Sequence, residues 1–150
     1  MNPLFLSQRY QRGVGLIEVL ISTLILSIGL LGIAALQANA LKNSQSSLTR
    51  SQVVMLSYFM LDAMRVNRAA AINGSYNLGK TCTIVADAGN IISHDQHVWL
   101  QAIKENLGDN ASTCGEVTCQ GNDCVVRIYW DDSRGTSGSA DQMIETRTRL

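Results

Sequence analysis

Residues 13–36 read GVGLIEVLISTLILSIGLLGIAAL, and this stretch decides how the rest of the chain is organised. From Val14 to Leu36 it is almost wholly apolar, broken by Glu18, Ser22, Thr23 and Ser27. A run of about twenty such residues, rising ~1.5 Å each as a helix, is long enough to cross a hydrocarbon core. Residues 1–13 ahead of it contain Arg9 and Arg12 and no acid. Basic residues stay on the cytoplasmic side, so the N-terminus is expected inside and everything after Leu36 outside. An ordinary secretory signal peptide is the competing reading, but it carries its small-residue cut site after the apolar region. Here Arg12-Gly13 comes before the apolar run, and the run is too long. A buried core helix fails on size, because the second half is too small to enclose it.

Glu18 is out of place in such a span. A carboxylate at the centre of a membrane helix costs roughly 2.5–3.5 kcal/mol, and less near the interface, so a partner is implied. A cut after Gly13 would create an α-amino group on Val14, one helical turn away. That amine can meet Glu18 of its own chain or of a neighbour, and charge neutralisation between chains would favour a staggered assembly of apolar helices. An unpaired, tolerated interfacial glutamate is the alternative.

The stretch Gly13-Val14-Gly15-Leu16-Ile17-Glu18-Val19-Leu20 resembles the class III signal of the type IV pilin family: a basic leader, a glycine, a cut, and glutamate as the fifth residue after it. Val14 stands where that family usually has phenylalanine. Ile28-Gly29-Leu30-Leu31-Gly32-Ile33-Ala34-Ala35-Leu36-Gln37 and Met64-Arg65-Val66-Asn67-Arg68-Ala69-Ala70-Ala71 are similar to minor pilins, as are the Trp99 segment and Ile128-Tyr129-Trp130-Asp131-Asp132. The resemblance implies cleavage between Gly13 and Val14 by a prepilin peptidase, and N-methylation of Val14. It implies Glu18 as the assembly charge partner, and an inner-membrane precursor that passes through an assembly platform into a pilus. Expected partners are the major pilin and other minor pilins, with roles in pilus assembly, twitching motility and adhesion. A minor pseudopilin of a type II secretion system shares the same signal and helix. A single-pass anchored periplasmic sensor or enzyme, a third reading, leaves Gly13 and Glu18 unexplained.

The expected fold class is α+β, the type IV pilin fold: a long N-terminal helix packed on a small antiparallel sheet. The expected divisions are a leader over 1–13, a transmembrane and assembly helix over 14–36, its amphipathic continuation over 37–73, and an exported α+β domain over 74–150. No proline follows Pro3 and no helix stop precedes Asn73-Gly74, so the helix is expected to reach Ile72, on the order of 85 Å in all. Gly29 and Gly32 are its weak points, each costing about 1 kcal/mol relative to alanine. Past Gln37 the pattern turns amphipathic. Leu41, Leu48, Met55 and Phe59 form a stripe with Leu56, Met60 and Ala63 on its flank, expected to supply the domain core. A dimeric coiled coil competes, with Gln45 and Gln52 interrupting its heptad.

After Gly74, Thr81–Ala86 reads as a short strand. Ser93-His94-Asp95-Gln96 reads as a capping box, opening a helix to Leu107 with Trp99, Leu100, Ile103 and Leu107 on one face and Gly108 as its stop. Val126, Ile128 and Trp130 alternate with Val125, Arg127 and Tyr129 as a half-buried strand. Gln120-Gly121-Asn122-Asp123 is turn chemistry, pairing Val117–Cys119 with Cys124–Val126. A Gly/Ser loop over 133–141 leads to a last strand over 142–149.

The four cysteines, Cys82, Cys114, Cys119 and Cys124, suit two disulfides in an exported domain. The hairpin register sets Cys119 opposite Cys124 and leaves Cys82 with Cys114, although the sequence alone permits three connectivities. A zinc site lacks its usual two-residue knuckle. Zero formal net charge argues against nucleic acid, since no basic excess exists to neutralise phosphates. His94 and His97 lack a third ligand, and Asp131-Asp132 reads as a solvated strand end. Asn73-Gly74-Ser75 and Asn110-Ala111-Ser112 read as turns. No cofactor, metal centre or active site is expected.

Overall fold

The computed structural model describes residues 13–136 and 138–150. Two compact units divide at Ala38, and helix α1, Leu16–Val66, contributes to both. In the first unit the side chains from Val14 to Leu36 are all exposed to the surroundings. The helix is long and apolar enough to cross a membrane.

The second unit is a four-stranded antiparallel sheet, β1 (Leu78–Thr81), β2 (Cys114–Gln120), β3 (Asp123–Trp130) and β4 (Gln142–Arg149), in that spatial order. Its inner face is covered by the 39–66 portion of α1 and by a helix inserted between β1 and β2, Ile91–Leu107. Period-two alternation sends Cys124, Val126, Ile128 and Trp130 inward, and they meet Met60, Leu61 and Met64 in one core. The β2–β3 turn is the two residues Gly121-Asn122. Gly121 has φ 58° at the first central position, which matches the right-handed twist of the strands. On the outer face, Arg127 bridges Glu116 at 2.6 Å and Glu145 at 2.8 Å, joining β2, β3 and β4. The Tyr129 hydroxyl donates to Glu116.

Gly115 sits where the inserted helix comes closest to the sheet. A Cβ there would lie 2.6 Å from Trp99 Cη2 and Cζ3, so the indole packs directly against bare backbone. The same indole donates Nε1–H to the Leu56 carbonyl at 2.9 Å. Trp99 therefore pins α1, its own helix and β2 together.

Several expectations need correction. The long helix stops at Val66 and restarts as α2, Arg68–Ile72. Asn67 leaves the helical basin at φ −111°, ψ 50°, a residue type whose side chain competes for backbone groups, and the turn lets Ala71 and Tyr76 enter the core. We number the Ile91–Leu107 helix α3. Its N-cap is Asn90, not Ser93: Asn90 Oδ1 accepts from the Ser93 amide at 2.9 Å while the Ser93 hydroxyl serves the Asn90 amide. Gln96 instead reaches the Tyr76 carbonyl. Strand β1, Leu78–Thr81, begins three residues before the expected Thr81–Ala86 strand and overlaps it only at Thr81. Asn77 extends its ladder with a side chain, receiving the Cys119 amide at 2.6 Å and donating to the Cys119 carbonyl.

The largest correction concerns α1. Leu41, Leu48, Met55 and Phe59 are exposed, and the buried row is Val53, Ser57, Met60, Leu61 and Met64, with Leu56 packed beside it. Ser57 can be buried because its hydroxyl donates to the Val53 carbonyl at 2.9 Å. Asp132 is also buried rather than solvated. It accepts from the Ser46 hydroxyl at 2.6 Å, and its backbone ties both ends of the following loop, Asp132 N–H to Ser139 O and Gly135 N–H to Asp132 O.

Candidate functional site

The segment that carries chemistry in the sequence reading begins at the first described residue. Gly13, Val14 and Gly15 are non-helical and exposed, and α1 starts at Leu16. A peptide bond in non-helical, solvent-accessible backbone can enter a protease cleft, whereas one inside a helix must first be unwound. The Gly13–Val14 bond is of the first kind. The leader itself, residues 1–12, lies outside the described residues.

Glu18 lies in the first turn of α1, its amide donating to the Gly15 carbonyl at 3.0 Å. A carboxylate there is favoured by the unpaired amides of the helix start. The other polar residues of the span satisfy themselves. Ser22 donates to the Glu18 carbonyl at 2.6 Å, Thr23 to Leu20 at 3.0 Å and Ser27 to Thr23 at 2.5 Å. Each hydroxyl thus finds an acceptor on its own helix, which makes it tolerable in hydrocarbon. Glu18 is the exception: among the described residues no group pairs with its carboxylate, and it is exposed. The segment thus presents an accessible peptide bond and, four residues beyond Val14, a carboxyl group.

In the second unit the cysteines form Cys82–Cys114 and Cys119–Cys124, the latter between directly opposed residues of the β2–β3 hairpin. His94 and His97 are each engaged separately. His94 Nδ1 lies 2.8 Å from Asp87, whose carboxyl that hydrogen bond holds below the usual range, and His97 Nδ1 meets the Val85 carbonyl. They hold the 82–90 segment against α3 rather than converging on one point. Among the described residues no cluster of three or more His, Cys, Asp or Glu side chains could hold a metal.

Sequence reasoning missed two buried polar contacts. Tyr76 is fully buried and donates to Asp95 at 2.6 Å; burial first, and that carboxylate second, push its hydroxyl up to about 12. Lys104, buried near the end of α3, holds Asp109 at 2.9 Å and the Asn110 carbonyl at 2.7 Å. Tyr76 follows a Gly-Ser turn and Lys104 stands next to Glu105 in a helix, where a lysine is ordinarily solvated, so neither carried a local signal.

Comparison with known families finds the prokaryotic N-terminal methylation motif at residues 8–34, which covers Gly13, Val14, Glu18 and most of the span. No curated protein and no solved structure was found to match the chain.

Proposed function

We propose that this chain, for which the methylation motif supports type IV pilin-family membership, is a minor pilin. It is made as a membrane-anchored precursor and built into a pilus fibre or its tip complex, where it helps start assembly. The observation that carries this is Glu18, the fifth residue after Gly13, which has no partner among the described residues in a span whose hydroxyls are all satisfied. Hydrolysis of the Gly13–Val14 amide by a prepilin peptidase leaves a carboxylate on Gly13 and an amine on Val14, which is then N-methylated and remains cationic. That cation pairs with Glu18 of a neighbouring subunit as the apolar helices pack. The disulfide-bridged α+β unit faces outward. The minor-pilin assignment is supported by the likeness of residues 28–37 and 64–71 to the PilV minor pilins.

Two measurements test this together. Mass spectrometry of the mature chain is expected to show an N-methylated Val14 as the first residue; an intact Met1, or a cut beyond Leu36, refutes the reading. Glu18→Ala is expected to leave insertion and cleavage intact, since the span becomes more apolar and the leader is unchanged. It is expected to deplete the chain from sheared filaments, because leaving one member of a buried charge pair alone costs roughly 3–5 kcal/mol. Equal amounts of variant and wild type in the filament fraction would remove the charge-pairing mechanism.

A further inference from the structure

The face of α1 turned away from the domain core carries its own apolar row. Leu41, Leu48, Met55, Phe59 and Val66 are between 46% and 91% exposed. At ~100° per residue this row centres roughly 145° from the one formed by Val53, Ser57, Met60 and Met64. The domain therefore covers one side of the helix and leaves the other, about seven turns long, uncovered. Single exposed apolar residues are ordinary, but a continuous line of them is a contact surface.

The spacing narrows what can cover it. Positions 41, 45, 48, 52, 55, 59, 62 and 66 alternate steps of four and three, the 3.5-residue repeat that keeps a seam facing another helix. Gln45 and Gln52 occupy two of these positions. Lipid would leave their amides unsatisfied, whereas a parallel, in-register helix sets each amide beside its own counterpart, where one donates and the other accepts. Polar residues at such positions fix register in paired helices. Among the positions flanking the seam, Ser44, Thr49, Ser51 and Tyr58 are uncharged, and the two charged ones, Lys42 and Arg65, lie at its opposite ends, with Arg65 paired to Asp62 of its own chain, so little like-charge repulsion opposes two identical faces. At the Asp62 layer the carboxylate is already held by Arg65 of its own chain at 2.6 Å.

We propose that two copies of this chain pair in parallel through the 41–66 seam while anchored in the membrane, before any filament forms. The inference rests on the reading of residues 14–36 as a membrane span. Anchoring gives both copies one orientation and a raised effective concentration, which offsets the modest area of a narrow seam.

The test uses the full-length chain in membranes of cells unable to form filaments. All four native cysteines are in disulfides, so one added thiol is unique. Under mild oxidation Met55→Cys is expected to give a homodimer, and Ser47→Cys, exposed but off the seam, a background level only. Adding Leu48→Glu to Met55→Cys is expected to lower the dimer yield about tenfold, the factor that ~1.4 kcal/mol of lost association produces. Equal yields at the two cysteine positions overturn the proposal, as does a Met55→Cys product formed only with a protein of different mass. The N-terminal cut is read from the same samples. An uncut chain that still forms the seam dimer supports the proposal while refuting the filament-subunit reading, and a correctly cut chain without the dimer does the reverse.

Discussion

A single methyl group at Gly115 is expected to be among the most damaging small changes in the domain. Its Cβ would stand 2.6 Å from two Trp99 ring carbons and 3.1 Å from Leu100 Cδ2, where ordinary carbon contacts begin near ~3.5 Å. Neither side can give way cheaply. Trp99 is fully buried and held by its hydrogen bond to the Leu56 carbonyl, while Gly115 lies inside β2 between Thr81 of β1 and Ile128 of β3. Overpacking of this kind costs about 1–3 kcal/mol, and tilting the indole off its acceptor would add about 1 kcal/mol. The stiffer unfolded chain returns about 0.4–1 kcal/mol. Gly115→Ala should therefore destabilise by roughly 1–3.5 kcal/mol, a sizeable part of a total of about 5–15 kcal/mol. Gly79→Ala, in β1 with nothing within 4 Å of its Cβ, is the control and should change stability by less than about 0.5 kcal/mol. Urea unfolding of the full chain in detergent, followed by fluorescence of the buried Trp99 and Trp130, gives both values. Equal stability of the two variants would show that Trp99 does not clamp the helices to the sheet.

Three further outcomes are expected. Replacing Cys82 and Cys114 by serine should cost roughly 3.5 kcal/mol against about 2 kcal/mol for the Cys119–Cys124 pair, because the first closes a separation of 32 residues and the second one of 5; paired urea melts showing the reverse order would refute the chain-entropy argument. Tyr76 ionises at about 12 in the folded chain against 10.0 for a free tyrosine, so its contribution is complete below pH 10 and lost as pH rises from 10 to 12. Tyr76→Phe should flatten that part of the stability–pH curve, and an unchanged slope would show that Tyr76 is not the group responsible. Asp132→Ala removes the acceptor of the Ser46 hydroxyl and should cost about 1–2 kcal/mol, with earlier proteolysis of the 133–141 loop; unchanged cleavage kinetics would show that Ser46 does not fasten that loop.

The sequence by itself determined several features governed by composition or by short spacing. The apolar span, the Gly13–Glu18 arrangement, the Gly121-Asn122 hairpin and the last strand were all legible, because each is specified by neighbouring residues. The opposition of Cys119 and Cys124 followed from the hairpin register. The α3 stop at Gly108 was also local, whereas its start was misplaced by three residues, since Asn90 and Ser93 both carry capping chemistry. Only the tertiary structure decided which side of α1 meets the domain. Both sides are apolar, and hydropathy favours the Leu41–Leu48–Met55–Phe59 row because the other contains Ser57. That penalty vanishes once the Ser57 hydroxyl bonds back to Val53, and Leu56 on that side offers the carbonyl that Trp99 requires, from 43 residues away. The burial of Asp132 has the same origin, its acceptor filled by Ser46 from 86 residues away. Polarity is a property of a residue, but its cost depends on whether a partner arrives, and partners that distant in the chain are brought together only by the fold.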